Sequence, residues 1–328
     1  MRKARFSLTL FTFLLASLTV WGQESSSVFN FLKITPSAHV AALGGENVSL
    51  TMDDASLIFG NPSQAAAVND NTLALSYMTY LADTKVIGAA YTKVFSVRHT
   101  LGITAQMFNY GSMDETNEVG DVIGSFSAKD IDFSALYSYT LGGGWAGGAT
   151  MSFISSKYAE YTSTAIAFDL GLHYNNEEKD FSFGLVMKHI GAQLSSFYEG
   201  QTEHLPFDLQ AGITKRLEHA PLQISVTLRD LTRWSNHYYY NPQKESGFGR
   251  KLFNHVVLGA DLLPTENIYL SAGYNFRRAN ELKAAGSAHG AGLSFGGGYQ
   301  SSKLKIGLAY AKYHVSASSF LINASYSF

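Results

Sequence analysis

The sequence predicts an all-β fold: a transmembrane antiparallel β-barrel of about fourteen strands, with a hatch or plug segment before it. Three observations predict it. Segments of about ten residues alternate apolar and polar side chains over most of the chain, which is the pattern of a wall with lipid on one side and water on the other. Short and long connections alternate between those segments. Beyond the first residues no apolar run is long enough for a membrane helix, and a chain that crosses without helices must close into a barrel, because lipid cannot satisfy a free sheet edge.

The chain opens with Arg2, Lys3 and Arg5, an apolar run from Phe6 to about Val20, and a Val20-Trp21-Gly22 ending. That layout is a secretory signal peptide, residues 1–22, with cleavage expected between Gly22 and Gln23. The run is shorter than the ~20 residues a spanning helix needs.

Residues 23–70 do not alternate. Thr35-Pro36-Ser37 reads as a helix start with Pro36 in the first turn, Ala38 to Leu43 as a short helix, and Gly44-Gly45 as its end. Asp53-Asp54-Ala55-Ser56 leads to an Asn61-Pro62 turn. Phe29, Phe31, Leu32, Ile34, Leu43, Leu57, Ile58 and Phe59 make the stretch too apolar for a disordered tail and favour a packed plug.

Residues 71–328 form the expected barrel. Ile131, Phe133, Ala135, Tyr137, Tyr139 and Leu141 share one face, against Asp132, Ser134, Ser138 and Thr140; Ile268, Leu270, Ala272, Tyr274 and Phe276 oppose Ser271, Gly273 and Asn275. Strands are expected near 72–81, 85–95, 99–110, 131–141, 145–156, 164–175, 180–190, 206–216, 221–231, 254–263, 267–277, 288–300, 303–312 and 319–328. Asp132, Asp169, Lys188, Asp208 and Arg229 lie on the polar faces and should line the lumen, since a basic side chain at the lipid midplane costs roughly 2–4 kcal/mol. Tyr139, Tyr174 and Phe276 fall near segment ends, where interfacial girdles form. Connections near 111–130, 157–163, 191–205, 232–253, 278–287 and 313–318 are long and should lie outside the cell, with both termini in the periplasm.

Composition narrows the function. The 328 residues include no cysteine, which excludes disulfides and thiolate metal sites, and the net charge of −2 without a basic cluster argues against nucleic acid. The histidines lack ligand spacing. Gly142-Gly143-Gly144 and Gly296-Gly297-Gly298 are followed by no Gly-Lys-Ser/Thr, so they read as turn and strand glycines. No catalytic residue, metal site or cofactor is expected, and the chain is expected not to be an enzyme.

The run PSAHVAALGGENVSLTMDDASLIFGNPSQAA resembles the hatch of FadL-type outer-membrane barrels, with Gly44, Gly45, Asp53, Asp54, Asn61 and Pro62 carrying the likeness and Ser63 departing from it. More narrowly, FNYGSMDETNEVGDVIGSFSAKD, the stretch from Val186 to Trp234 and the last strand resemble the PorV/PorQ group of barrels in the type IX secretion system of Bacteroidota. Tyr326 and Phe328, ending an alternating strand, are similar to the signal read by the barrel assembly machinery. The resemblance implies a non-enzymatic component that holds a PorZ-like surface protein beside PorU and PorV-like components, in a complex that attaches cargo to lipopolysaccharide. On topology, partner contacts are expected in the second-half loops, where Phe197, Tyr198, Trp234, Tyr238, Tyr239 and Tyr240 stand out. The competing expectation is a FadL-type channel for hydrophobic small molecules.

Overall fold

A computed structural model of the chain describes residues 27–198, 201–234, 247–281, 290–313 and 317–328. Gly22, Gln23 and Tyr238 to Tyr240 lie outside the described residues. Fourteen strands form the wall: β1 (Thr72–Thr79), β2 (Lys85–Ser96), β3 (His99–Thr116), β4 (Val122–Gly142), β5 (Trp145–Tyr158), β6 (Tyr161–Asn176), β7 (Phe181–Ser195), β8 (Asp208–Arg216), β9 (Leu222–Leu228), β10 (Val256–Thr265), β11 (Ile268–Asn275), β12 (Leu293–Gln300), β13 (Leu304–Ala311) and β14 (Ser319–Ser327). Each pairs antiparallel with its sequence neighbours, and β1 pairs with β14 from Thr72↔Ser327 to Thr79↔Phe320, which closes the cylinder.

Two-residue periodicity fixes which face is which. Along β14, Phe320 is 61% and Ile322 46% exposed, whereas Leu321, Asn323 and Ser325 are buried. The outward set around the barrel (Leu75, Ile103, Phe133, Leu170, Ile213, Leu270) is apolar and exposed. Such a belt is stable only in hydrocarbon, so the chain spans a membrane. Asp132, Asp208 and Arg229 are buried, and Lys188 Nζ donates to Phe59 O at 3.3 Å. Asp169 Oδ1 accepts from His189 N at 2.6 Å, where the β6–β7 register slips and His189 takes φ 57°.

Three expectations are corrected. The stretches 111–130 and 157–163 are not long loops: β3 and β4 run on as a ladder to Thr116↔Val122, and β5 and β6 to Tyr158↔Tyr161. Outside the bilayer both strand faces meet water, so the alternation stops while the backbone ladder continues. Asn117 makes the tight turn, its Oδ1 accepting from Val119 N (3.0 Å) and Asp121 N (2.9 Å). Second, β11 stops at Asn275, and Phe276 opens a helix, Phe276–Glu281; Asn275 Oδ1 accepts from Arg278 N at 3.1 Å. A second short helix, Phe248–Asn254, precedes β10. Third, the two ends of the described chain do not share a side. Val28 N donates to His204 O at 3.1 Å in the β7–β8 connection, at the mouth opposite the one where Phe328 meets Asn71.

Residues 30–70 fill the cylinder. A helix, Ala38–Ala42, is capped by Ser37, so Pro36 precedes the cap rather than sitting in the first turn. Gly44 (φ 101°) and Gly45 (φ 88°) end it. The helix packs on β11, β12, β13 and β14, the 3-10 turn Ala55–Phe59 on β1, β2 and β14, and the 3-10 turn Pro62–Ala67 on β3 to β6. Irregular backbone at membrane depth needs its polar groups satisfied from the wall. Inward side chains do this: Ser182 Oγ donates to Ser49 O (2.6 Å), Ser294 Oγ to Ala42 O (2.8 Å), Gln106 Nε2 to Ile34 O (2.9 Å) and Asn275 Nδ2 to Gly44 O (3.3 Å).

The fit is close because the wall presents glycine where the segment passes. A Cβ on Gly184 would stand 1.9 Å from Val48 O, and one on Gly273 would stand 2.1 Å from Gly44 N. Gly148 and Gly171 face Pro62 and Asn61 in the same way, and Gly296 faces Ala42. Gly298 makes room for Tyr269, whose ring stacks on His39 with centroids 4.0 Å apart.

Candidate functional site

The polar lumen face of the wall and the polar edge of the segment meet in two anchoring clusters. In the first, His39 Nε2 lies 2.9 Å from Asp261 Oδ1, with both side chains buried. Ser271 Oγ donates to the same oxygen at 2.5 Å, and Gln223 Nε2 to Oδ2 at 3.3 Å. The helix is thereby fixed to β9, β10 and β11 at once. The second cluster sits at the long-loop mouth. Arg229 Nη1 approaches Glu46 Oε1 at 3.4 Å, Arg229 Nε donates to Asp230 Oδ2 at 2.8 Å, and Arg277 joins Asp230 (3.1 Å) to Glu281 (2.9 Å). Burial opposes the charged form of Asp230, but Arg229 and Arg277 outweigh it and hold its carboxyl below the ordinary range. Burial likewise opposes the Arg229 charge, and Asp230 and Glu46 more than restore it, so its pKa rises.

Above the second cluster the mouth is floored by aromatic rings. Phe31 meets Phe108 edge-on at 5.4 Å, Tyr80 meets Phe108 at 6.0 Å and Tyr313 at 5.6 Å, and Arg278 lies 4.2 Å over the Tyr313 ring. Burial raises the Tyr313 phenol to about 12 despite that guanidinium, and raises Tyr80 as well. Neither phenol ionises at neutral pH. The segment, with Gln106 and Lys188 of the wall, leaves a cavity of about 30 Å³ between Leu32, Lys33, Glu46, Phe59 and Lys188, room for roughly one water molecule.

The motif residues all bind the segment to itself or to the wall. Asp53 accepts from Asn69 N at 2.7 Å and from Lys305 Nζ. Asp54 caps the next turn, accepting from Ser56 N at 2.9 Å, and burial raises its pKa. Asn61 accepts from Ser63 Oγ at 2.6 Å and donates to Val48 O at 3.0 Å, with Pro62 following. Tyr326 and Phe328 stack edge-on at 5.1 Å on the outer wall beside the short-turn mouth.

The expected contact aromatics divide. Phe197 packs on Tyr158 at 5.3 Å within the mouth, and Trp234 Nε1 donates to Leu231 O at 2.7 Å while its ring lies 4.2 Å from that of His255. Tyr198 meets the Tyr161 ring at 5.2 Å and is 59% exposed. Sequence reasoning missed His39, Asp261, Glu46 and the inward glycines. Glycine recurring on the polar face of successive strands (Gly148, Gly171, Gly184, Gly273, Gly296) was the available signal. Among the described residues no three His, Asp or Glu side chains converge as a metal site requires.

No family profile and no curated protein matches the sequence. Solved structures do match in shape. A Pseudomonas aeruginosa FadL homologue superposes with a TM-score of 0.54 at 12% identity, over 90% of this chain and 98% of that one. The fold is that of the FadL-type barrels. The Pseudomonas putida toluene transporter TodX matches with a TM-score of 0.54 at 13% identity over 89% of this chain and 97% of its own. The monoaromatic hydrocarbon channel CymD gives 0.54 at 13% over 92% and 99%. FadL-type barrels are outer-membrane barrels of fourteen strands, the strand number found here.

Proposed function

We propose that this chain is a plugged outer-membrane barrel that serves as a membrane anchor for a surface protein, as a PorV/PorQ-type component of a type IX secretion system. Its long-loop mouth faces outward and its short turns and Phe328 face the periplasm. The PorZ-like protein of the attachment complex is the partner, with PorU and PorV-like components beside it, and lipopolysaccharide surrounds the wall. The reading needs no reaction at the barrel itself.

The observation that carries this reading over transport is the filled lumen. Passage of a hydrophobic solute needs an apolar cavity or a side exit; inside the barrel the segment leaves a cavity of about 30 Å³ bounded by Lys33, Glu46 and Lys188, while an open apolar hollow of about 640 Å³ lies in the wall over Gly296, Gly297 and Gly298. Where β7 rises past the start of β8, its flank is covered: Gln193 Oε1 accepts from Glu203 N at 2.8 Å, and His189 Nδ1 lies 3.1 Å from Pro206 O. The second reading, a channel for hydrophobic small molecules, is favoured by the shared fold with TodX and CymD and by the apolar hollow over Gly296, Gly297 and Gly298.

Mild-detergent purification from native outer membranes tests the two. An anchor brings down a stoichiometric surface protein, and deleting the barrel releases that protein into the medium. Recovery of the barrel alone, together with loss of small-molecule uptake on deletion, would replace the first reading with the second.

A further inference from the structure

The β3–β4 hairpin rises beyond its neighbours. β2 starts at Lys85, opposite Asn109, and β5 ends at Tyr158, opposite Ala128. From Ser112↔Ser127 to Thr116↔Val122 the two strands pair with each other, with one further backbone bond, Ala159 N to Ser127 O at 3.1 Å, at the base. This leaves a free two-stranded ribbon about 20 Å long, counted at ~3.3 Å per residue. Ribbons of this kind are marginal alone in water, and this one exposes apolar side chains: Val119 is 86%, Val122 62%, Ile123 62% and Met113 37% exposed.

Its charge is one-sided. Asp114, Glu115, Glu118 and Asp121 lie on it, and no lysine or arginine occurs between Arg98 and Lys129. Its direction is set by β4, which pairs with β5 without a register shift from Ala128 to Thr140. The parity that sends Ala128, Asp130 and Asp132 into the lumen also turns Phe126 toward the barrel axis, and Met113 pairs with Phe126; Val122 lies past a register shift, at the ribbon tip. The apolar face therefore overlooks the mouth rather than the neighbouring membrane. Beneath it lies the aromatic floor of Phe31, Tyr80, Phe108 and Tyr313.

We infer that the ribbon is the docking post for the anchored protein: a soluble partner that sits over the closed mouth and presents a cationic surface around an apolar centre. The four carboxylates select the sign of that surface and speed its approach, and Met113 and Phe126, with exposed Val122 at the tip, supply the desolvated contact. A second copy of this chain would stand beside the barrel in the membrane, on the wrong side of the ribbon. The inference rests on the anchoring function proposed above, and names the surface that performs it.

The test uses the full chain in its native outer membrane and the soluble protein that co-purifies with the wild type, identified by mass. Replacing the four acids together (Asp114→Asn, Glu115→Gln, Glu118→Gln, Asp121→Asn) leaves the ladder hydrogen bonds in place. It is expected to cut recovery of that protein about tenfold or more, and added salt should weaken the wild-type complex in the same direction. The pair Met113→Ser and Val122→Ser should do the same without the salt effect. Heat-modifiable migration of the barrel checks that each variant has folded. A photo-crosslinker at Val122 should capture the same protein, and one at Val97, on a short turn, should not. Wild-type recovery with both variants would overturn the inference and leave the anchor reading standing. A crosslink from Val122 to another copy of this chain would also overturn it. Absence of any soluble protein with the wild type would instead sink the anchor reading, and the inference with it.

Discussion

Gly273 offers a direct measure of how tightly the segment is held. It faces inward on β11, and a methyl group there would lie 2.1 Å from Gly44 N, 2.2 Å from the Leu43 carbonyl carbon and 2.7 Å from Ala42 O. Ordinary contacts need about 3.5–4.0 Å, so the backbone of residues 42–44 must retreat by roughly 1.5 Å. The wall itself tolerates alanine, because Gly273 has ordinary strand geometry. Overpacking of this kind costs about 1–3 kcal/mol, which corresponds to about a 5- to 150-fold rise in the population with the segment displaced. The chain has no cysteine, so Ser49→Cys, at a fully buried segment position, gives a single thiol to follow. In Gly273→Ala its maleimide labelling in detergent or vesicles should accelerate by that factor, with heat-modifiable migration unchanged. Gly147→Ala is the control, since its nearest neighbour would be Leu141 Cδ1 at 3.8 Å. An unaltered labelling rate in a folded Gly273→Ala barrel would refute the close-contact argument.

Other perturbations separate wall, lumen and mouth. Arg229→Met takes the guanidinium from buried Glu46 and one of the cations from Asp230, which keeps Arg277, and should destabilise the protein by about 3–5 kcal/mol, seen as a lower urea midpoint for loss of tertiary signal. Asp54 has a raised pKa through burial, so the folded state holds its proton more firmly than the unfolded one. Stability from this group is complete below the ordinary carboxylate pKa and is lost as pH rises through the folded value. Asp54→Asn should therefore be more stable than wild type at neutral pH, with the difference vanishing near pH 3; a gap that widens on acidification would contradict this sign. Leu270→Arg, on the lipid face, should cost roughly 2–4 kcal/mol in refolding into vesicles, whereas Val119→Arg at the ribbon tip should leave that equilibrium unchanged.

The strand pattern was legible because it answers to solvent alone. All fourteen expected segments lie on observed strands, most within a few residues at each end. Their faces were set by whether a side chain meets hydrocarbon or water. The reading failed at residues 111–130, where both faces are wet and the ladder leaves no polarity signature, and at Asn275, where a side-chain cap turned a strand into a helix. The aromatic residues at 197 and 234 stand out by type alone; their ring packing and the indole hydrogen bond, with Trp234 still 37% exposed, belong to the tertiary structure. The apolar exposure that marks the ribbon belongs to Val119, Val122 and Ile123, which composition does not distinguish from strand interior.

By itself the sequence determined a membrane-spanning wall, its strand number, the inward placement of its charges and a short helix ended by Gly44-Gly45, since each follows from local periodicity or local backbone freedom. Only the tertiary structure decided that His39 meets Asp261, 222 positions away, that Gly184 and Gly273 exist to admit Val48 and Gly44, and that the described chain begins and ends at opposite mouths. Those pairings depend on where a non-repeating segment threads a closed cylinder. No local pattern encodes that path, because it is fixed jointly by every carbonyl in the segment that must find a donor on the wall.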